Sequence, residues 1–125
     1  IHGQGATAVL AHPYGLPRTW ISINSAIDAR LDAIEVANSA QIPYNYIRAL
    51  NEALADRLGL PQTGGSDSHI PDTIGRAYTI VETASRDPED IVKSIRGGLT
   101  TVHGTGITLT ERISKALRKK GKKES

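Results

Sequence analysis

Residues 32–65 read DAIEVANSAQIPYNYIRALNEALADRLGLPQTGG, and this stretch decides the fold. Its first six residues, 32–37, form a short apolar run typical of a β-strand. Residues 44–58 repeat apolar side chains at spacings of three and four, which indicates a helix, and Gly59 supplies a helix stop. A second short strand is predicted at 60–63. A strand, a helix and a strand at this spacing predict a parallel βαβ unit.

The same alternation continues on both sides of this stretch. Asp87 and Pro88 provide a cap and a first-turn proline for a helix that ends at two glycines. Roughly four βαβ units fit in the chain, which predicts either a small open α/β sheet or about half of a β/α barrel. The remaining predicted strands are 6–11, 77–81 and 99–102, and the remaining predicted helices are 19–31, 87–96 and 109–120.

Composition bounds the class of protein. The 125 residues are 38% hydrophobic and 22% charged, which fits one small globular domain. We expect a cytoplasmic location and no membrane partner, because there is no signal peptide and no apolar run of roughly 18 residues. Cysteine is absent, so His, Asp and Glu are the available metal ligands. Because the chain begins at Ile1 and contains no Met, we expect a fragment, a processed product or the ordered part of a longer protein.

Charge is unevenly distributed along the chain. The net charge is +2, but residues 115–125 carry +5, which leaves −3 on residues 1–114. We therefore expect a domain at 1–114 and a flexible basic tail at 115–125. Such a tail could contact nucleic acid or an acidic surface, and a solvated terminus is the simpler explanation. A non-catalytic nucleic-acid- or protein-binding module is thus the alternative to an enzyme.

The segment Ser66-Asp67-Ser68-His69 follows a predicted strand and two glycines. In extended backbone, residues two apart project to the same side, so the side chains of Asp67 and His69 converge. A carboxylate and an imidazole on one face are natural ligands for a divalent metal ion. A capped turn, in which Asp67 accepts hydrogen bonds from nearby backbone amides, is the alternative interpretation.

His12 comes directly after the strand predicted at 6–11, and Pro13 ends the pairing of that strand. Parallel α/β folds place their ligand sites at the carboxyl ends of strands. A hydrogen-bonded histidine at a strand end is the alternative. Taken together, His12, Asp67 and His69 all lie at the carboxyl ends of predicted parallel strands. This arrangement predicts a metal site at one sheet edge, although it does not identify a reaction.

The order of the motifs is more specific than any one of them. A strand ending in His12-Pro13 precedes DAIEVAN at 32–38, and TGGSDSH at 63–69 precedes IGRAYT at 74–79. From His12 to about Gly104, this order resembles the C-terminal portion of metal-dependent phosphoesterases of the polymerase-and-histidinol-phosphatase (PHP) superfamily. The resemblance implies the C-terminal part of a distorted seven-stranded β/α (TIM-like) barrel.

The resemblance also implies an activity and a set of ligands. PHP enzymes hydrolyse phosphate esters through a metal-activated water, and here the substrate would be a nucleotide, an oligonucleotide or a small phosphate ester. Up to three divalent ions (manganese, zinc, iron or magnesium) would lie at the strand ends. By resemblance, His12, Asp67 and His69 would be metal ligands, and Asp67 would also orient the attacking water.

One departure from the family limits these expectations. PHP members carry an N-terminal His-x-His segment and further acidic and histidine ligands, whereas His2 is followed here by Gly3 and Gln4. Three ligands cannot hold three metal ions, so we expect weak metal binding and little hydrolysis from this chain alone. The missing half would come from the same polypeptide or from a partner, and exposed sheet edges favour self-association.

Other polar residues have two interpretations each. Arg76 and Arg18 could contact a substrate phosphate, since guanidinium matches phosphate oxygens, but surface ion pairs explain them equally well. Glu35 either lies on the ligand edge or faces solvent from an edge strand. Asn38 either lines a substrate mouth or forms a turn. We expect no site role for His103.

Overall fold

The computed structural model describes residues 1–15 and 21–121, without the side chains of 119–121. Within these residues, short strands alternate with helices, and 3₁₀ turns occur at His2–Gln4 and Pro71–Thr73. In chain order the elements are β1 (Val9–Leu10), α1 (Ile23–Asp28), β2 (Ala33–Asn38), α2 (Tyr44–Leu58), β3 (Gln62–Gly65), β4 (Ala77–Val81), α3 (Pro88–Arg96), β5 (Thr100–Gly104) and α4 (Leu109–Gly121).

The first three strands form one parallel sheet in the order β1-β2-β3. The central strand β2 is the most buried, because the side chains of Ala33, Ile34, Val36 and Ala37 are completely inaccessible. A parallel strand covered on both faces is expected to be almost continuously apolar. The sheet thus confirms the βαβ unit predicted from residues 32–65 and the preceding one, which contains α1.

The pairing of β2 with β3 contains a bulge. Glu35 is opposite Thr63 and Ala37 is opposite Gly64, so Val36 is one extra residue on β2. A bulge of this kind interrupts the two-residue alternation of a strand and re-aims the side chains that follow it. The side chains at the carboxyl end of β2 are therefore displaced by one step relative to a regular strand.

Helix α2 covers the parallel sheet with Leu54 and Ala55, which belong to the same core cluster as Ile34. The fully buried Asn51 is the polar exception on this face of the helix. Its Nδ2 donates to the carbonyl of Val36 at 3.2 Å, and its Oδ1 accepts from the backbone N–H of Tyr14 at 3.1 Å. One buried amide thus joins α2 to the central strand and to the loop after β1.

Strands β4 and β5 pair antiparallel, so the expectation of parallel units throughout the chain is wrong. The reason is that α3 and its flanking loops leave and return at the same end of the pair. The backbone N–H of Glu82 donates to the carbonyl of Leu99 at 2.9 Å, and Val81 is therefore opposite Thr100. The described strands form a three-stranded and a two-stranded sheet and do not close into a barrel.

Threonine side chains join the two sheets. The hydroxyl of Thr79 accepts from the N–H of Gly64 at 2.8 Å and donates to the carbonyl of the same glycine at 2.9 Å. The hydroxyl of Thr100 donates to the carbonyl of Gln62 at 2.7 Å. These bonds satisfy backbone groups on the edge of β3 that no strand pairs, which an exposed edge would leave available to other chains.

Helix α4 begins with a capping box that the sequence analysis missed. The N–H and hydroxyl of Thr108 both donate to the Glu111 carboxylate, and the Thr108 hydroxyl accepts from the Glu111 N–H. Arg112 donates to the carbonyls of Ala40 and Gln41, which fastens α4 to the loop after β2. The helix leaves three large apolar side chains exposed: Leu109, Ile113 and Leu117.

Several predicted boundaries change. The strand predicted at 6–11 is only Val9–Leu10. Of the helix predicted at 19–31, residues 19–20 lie outside the described part of the chain, and Ile23–Asp28 is the part of 21–31 that is helical. The shorter helix starts where the Ser22 hydroxyl accepts from the N–H of Ser25. Residues 115–121 of the predicted tail belong to α4, and 122–125 lie outside the described residues, so the domain division stays a prediction. In the described part of the chain, no helix is long and apolar enough to cross a membrane.

We expect Thr79→Val to lower the free energy of unfolding by about 1–3 kcal/mol, because it leaves the N–H and carbonyl of Gly64 without partners. Urea denaturation would measure the change. Thr101→Val is the matched control, because Thr101 is exposed on the neighbouring strand. Equal effects of the two substitutions would contradict the bridging role of Thr79.

Replacing Asn51 tests the buried amide. We expect Asn51→Ala to destabilise the chain by about 2 kcal/mol or more, since Tyr14 and Val36 each lose a buried hydrogen-bond partner. Asn45→Ala, at an exposed position on the same helix, is the control. If thermal or urea unfolding shows the same stability for the two variants, Asn51 does not stabilise the contact between α2, the central strand and the loop after β1.

Candidate metal centre

The carboxyl ends of β1, β2 and β3 lie at one edge of the sheet because the three strands are parallel. His12 lies two residues after β1, Asn38 is the last residue of β2, and Asp67 lies two residues after β3. Open parallel sheets bind ligands at this edge. The structure therefore brings two of the sequence-predicted ligands, His12 and Asp67, to the same edge.

The Glu35 carboxylate links two of these strand ends. Its Oε2 accepts from the backbone N–H of His12 at 3.1 Å and from Nδ2 of Asn38 at 3.1 Å. Residues three apart on a regular strand project to opposite faces. The extra residue Val36 changes that alternation, and the bulge thus accounts for the contact between Glu35 and Asn38.

Asn38 extends the contacts to the third strand end. Its Nδ2 donates to Oδ2 of Asp67 at 3.4 Å, and its Oδ1 accepts from the N–H of Ala40 at 3.0 Å. The side chain is buried, with 4% exposure, so these bonds satisfy an amide that has lost its water. His12, Glu35, Asn38 and Asp67 are thus connected, and we call these four residues the strand-end network.

The backbone is unusual at two of the three candidate ligands. His12 has a φ of 28° and Asp67 has a φ of 46°. Positive φ is uncommon for residues other than glycine, and such conformations concentrate at functional sites. In the described ranges one further non-glycine residue, Arg30, shares this property. The chain therefore bends sharply at the two points where the predicted ligands leave the sheet.

The rings of His12 and His69 differ in their hydrogen bonding. His69 lies near Asp67 in sequence, and its Nδ1 is 2.8 Å from the Asp67 backbone carbonyl. A carbonyl only accepts, so Nδ1 carries the proton and Nε2 of the neutral ring is left as an acceptor, as in many metal-ligating histidines. Nδ1 of His12 is buried and has no hydrogen-bond partner in the described residues.

The donor chemistry suits a divalent metal ion, but the described side chains do not complete a site. His12 and His69 offer ring nitrogens and Asp67 offers carboxylate oxygens, the ligand types that zinc and manganese accept. Within 1–15 and 21–121, however, no three His, Asp or Glu side chains lie close enough to hold a metal ion. The ligand assignment of these residues therefore stays a prediction.

The two arginines proposed as phosphate contacts have separate outcomes. Arg76 forms an ion pair with Glu111 of α4, which is the alternative that the sequence left open. Arg18 lies outside the described residues. His103 stacks on Tyr78, with ring centroids 5.6 Å apart, in the β4–β5 pair. A substrate role for Arg76 or Arg18 remains a prediction.

Glu35 is the network residue that sequence reasoning undervalued. The edge-strand interpretation is wrong, because β2 is the central strand of its sheet. The available signal was a lone charged residue inside the otherwise apolar run AIEVA at 33–37. A buried parallel strand accommodates such a residue only when other groups satisfy its charge.

The ion pair between Arg76 and Glu111 should affect how the stability of the chain depends on pH in acid. The N–H of Thr108 and the guanidinium of Arg76 lower the pKa of Glu111. A carboxyl whose folded-state pKa lies below its unfolded value adds stability above the unfolded pKa, and this is lost as pH falls through the folded pKa.

We therefore expect Glu111→Gln to reduce the loss of stability between neutral pH and about pH 3, where carboxylates titrate. Urea unfolding at a series of pH values measures this. Glu89→Gln is the control, because it removes the same charge from the first turn of another helix. Parallel pH profiles for Glu111→Gln and the unmodified chain would contradict the prediction.

Part of the chain is similar to a known protein family. Residues 49–100 match the family described as PHP-associated, a segment that runs from within α2 to the first residue of β5. The matched segment contains Asp67 and His69 and lies downstream of His12. No curated protein and no solved structure matches the chain. The match covers less than half of the chain, and within residues 49–100 it confirms the resemblance to a C-terminal region of the PHP superfamily.

Proposed function

We propose that this chain is part of a divalent-metal-dependent phosphoesterase that hydrolyses a nucleotide, an oligonucleotide or a small phosphate ester. The observation that carries the proposal is the connection of His12 to Asp67 through Glu35 and Asn38 at the carboxyl edge of a parallel sheet. The PHP-associated match adds support, because PHP proteins are generally metal-dependent hydrolases.

In this proposal His12, Asp67 and His69 hold the metal. The buried Nδ1 of His12 lacks a partner in the described part of the chain, and a metal ion would satisfy it. A bound divalent ion lowers the pKa of a coordinated water and neutralises charge on phosphoryl oxygens. The Asp67 carboxylate, oriented by Asn38, would accept a hydrogen bond from the attacking water.

The proposal needs donors beyond these three residues. We place this chain in the C-terminal part of a TIM-like barrel, with further ligands supplied by the same polypeptide or by a partner chain. A cytoplasmic location belongs to the same proposal and rests on the sequence alone. Manganese, zinc, iron and magnesium all suit nitrogen and carboxylate ligands to different degrees, so metal identity is a matter for experiment.

A binding module is the second candidate. The observation that favours it is the lack of three clustered metal-binding side chains within the described ranges. Binding to nucleic acid through residues 115–125 would weaken steeply with salt and would be lost when those residues are deleted. Among the described basic residues of this segment, Arg118 forms an ion pair, and its partner is Asp72.

We expect His69→Ala to abolish manganese-dependent hydrolysis in the natural protein that contains this chain. The loss should be at least about 100-fold, because even groups that only orient metal ligands are typically worth 10–100-fold. Phosphomonoester and phosphodiester substrates would be assayed with added manganese. His103→Ala is the matched control, because that ring packs on Tyr78 instead of lying in the candidate centre.

Two results would overturn the proposal. Hydrolysis that survives His69→Ala would remove His69 from the site. A complete lack of metal-dependent hydrolysis in the natural protein, together with salt-sensitive nucleic-acid binding that needs residues 115–125, would replace the enzyme with the binding module.

A further inference from the structure

We propose that Glu35 is a positioning residue that fixes the backbone of His12 directly and the carboxylate of Asp67 through Asn38. The conformational part of this inference stands on the hydrogen bonds alone. Its consequence for metal binding rests on the proposed function. Glu35 contacts the backbone of His12, and it would act through the two predicted ligands.

The backbone bends sharply at His12. Its φ of 28° is a conformation that an isolated residue avoids, so tertiary contacts must maintain it. The N–H of this residue donates to Oε2 of Glu35, and its carbonyl accepts from the N–H of Gly15 at 2.8 Å. A hydrogen bond to a charged acceptor is about twice as strong as a neutral one. Glu35 therefore restrains the bend that aims the His12 ring.

Asn38 makes a bridge between Glu35 and Asp67. One amide nitrogen carries two hydrogens, and here the same Nδ2 donates to Glu35 and to Asp67. A neutral amide can thus connect two carboxylates, whereas an aspartate at this position would add a third negative charge. The orientation of Asp67 consequently depends on an amide that Glu35 holds from the other side.

The structure also reserves space for the Glu35 carboxylate. A Cβ added to Gly65 would lie 3.0 Å from Oε1 of Glu35, which is closer than an ordinary contact. Glycine at the end of β3 therefore leaves room for the carboxylate to reach its two donors. The bulge at Val36 and the missing side chain at Gly65 both allow the same set of hydrogen bonds.

Two substitutions at this position separate geometry from stability. Glu35→Gln keeps one oxygen able to accept both bonds, whereas Glu35→Ala removes them. In NMR spectra of the 125-residue chain, we expect Glu35→Ala to shift the His12 backbone amide and the Asn38 side-chain amide strongly. Glu35→Gln should shift them less. Glu82→Ala, at an exposed glutamate, should leave both signals unchanged.

The same samples titrated with manganese test the consequence for the metal. Paramagnetic broadening of the His12 and His69 ring signals should require about 10–100-fold more manganese in Glu35→Ala, the usual effect of losing a group that orients ligands. Glu35→Gln should restore most of this affinity, because it restores the acceptor. A role confined to core stability would not produce this rescue.

The outcomes distinguish the inference from the function on which it rests. If a folded Glu35→Ala chain leaves the His12 and Asn38 amide signals in place, Glu35 positions nothing. If those signals shift while the unmodified chain shows no manganese broadening at His12 and His69, the positioning role stands and metal binding by this chain fails. Should Glu35→Ala not fold, Asn38→Ala breaks the same bridge, and the manganese titration of that variant is the second measurement.

Discussion

The parallel pairing of β2 between β1 and β3 is the constraint on which the rest of the structure depends. The apolar side chains of β2 are completely buried, so this strand must be covered on both faces and paired on both edges. Parallel pairing then places three carboxyl ends at one edge. His12 and Asp67 belong to one network for this reason, although their residue numbers differ by 55.

Local patterns explain why part of the fold was predictable. Helix α2 covers the residues that its apolar spacing indicates, and Gly59 ends it with a φ of 63° in the left-handed region. The antiparallel pairing of β4 with β5 was not predictable, because a strand, a helix and a strand in sequence are compatible with either a parallel or an antiparallel pair. The bond from the N–H of Glu82 to the carbonyl of Leu99 closes the excursion through α3, and these two residues are distant in sequence.

The candidate site likewise has features that the sequence predicts and features that it does not. The positions of His12 and Asp67 follow from the rule that parallel sheets gather strand ends at one edge. The bond between Glu35 and Asn38 depends on the bulge at Val36, and the alternation of apolar residues gives no sign of a bulge. The pairing of Arg76 with Glu111 is equally hidden, because it joins the residue before β4 to a helix 35 positions farther along the chain.

The threonine bridges limit how this sheet can grow. The hydroxyl of Thr79 occupies both the N–H and the carbonyl of Gly64, and Thr100 occupies the carbonyl of Gln62. An incoming strand needs those same groups free to form a ladder on that side of β3. A strand that enlarges the parallel sheet, from this polypeptide or another, would therefore have to join it beside β1, where Val9 is still 42% exposed.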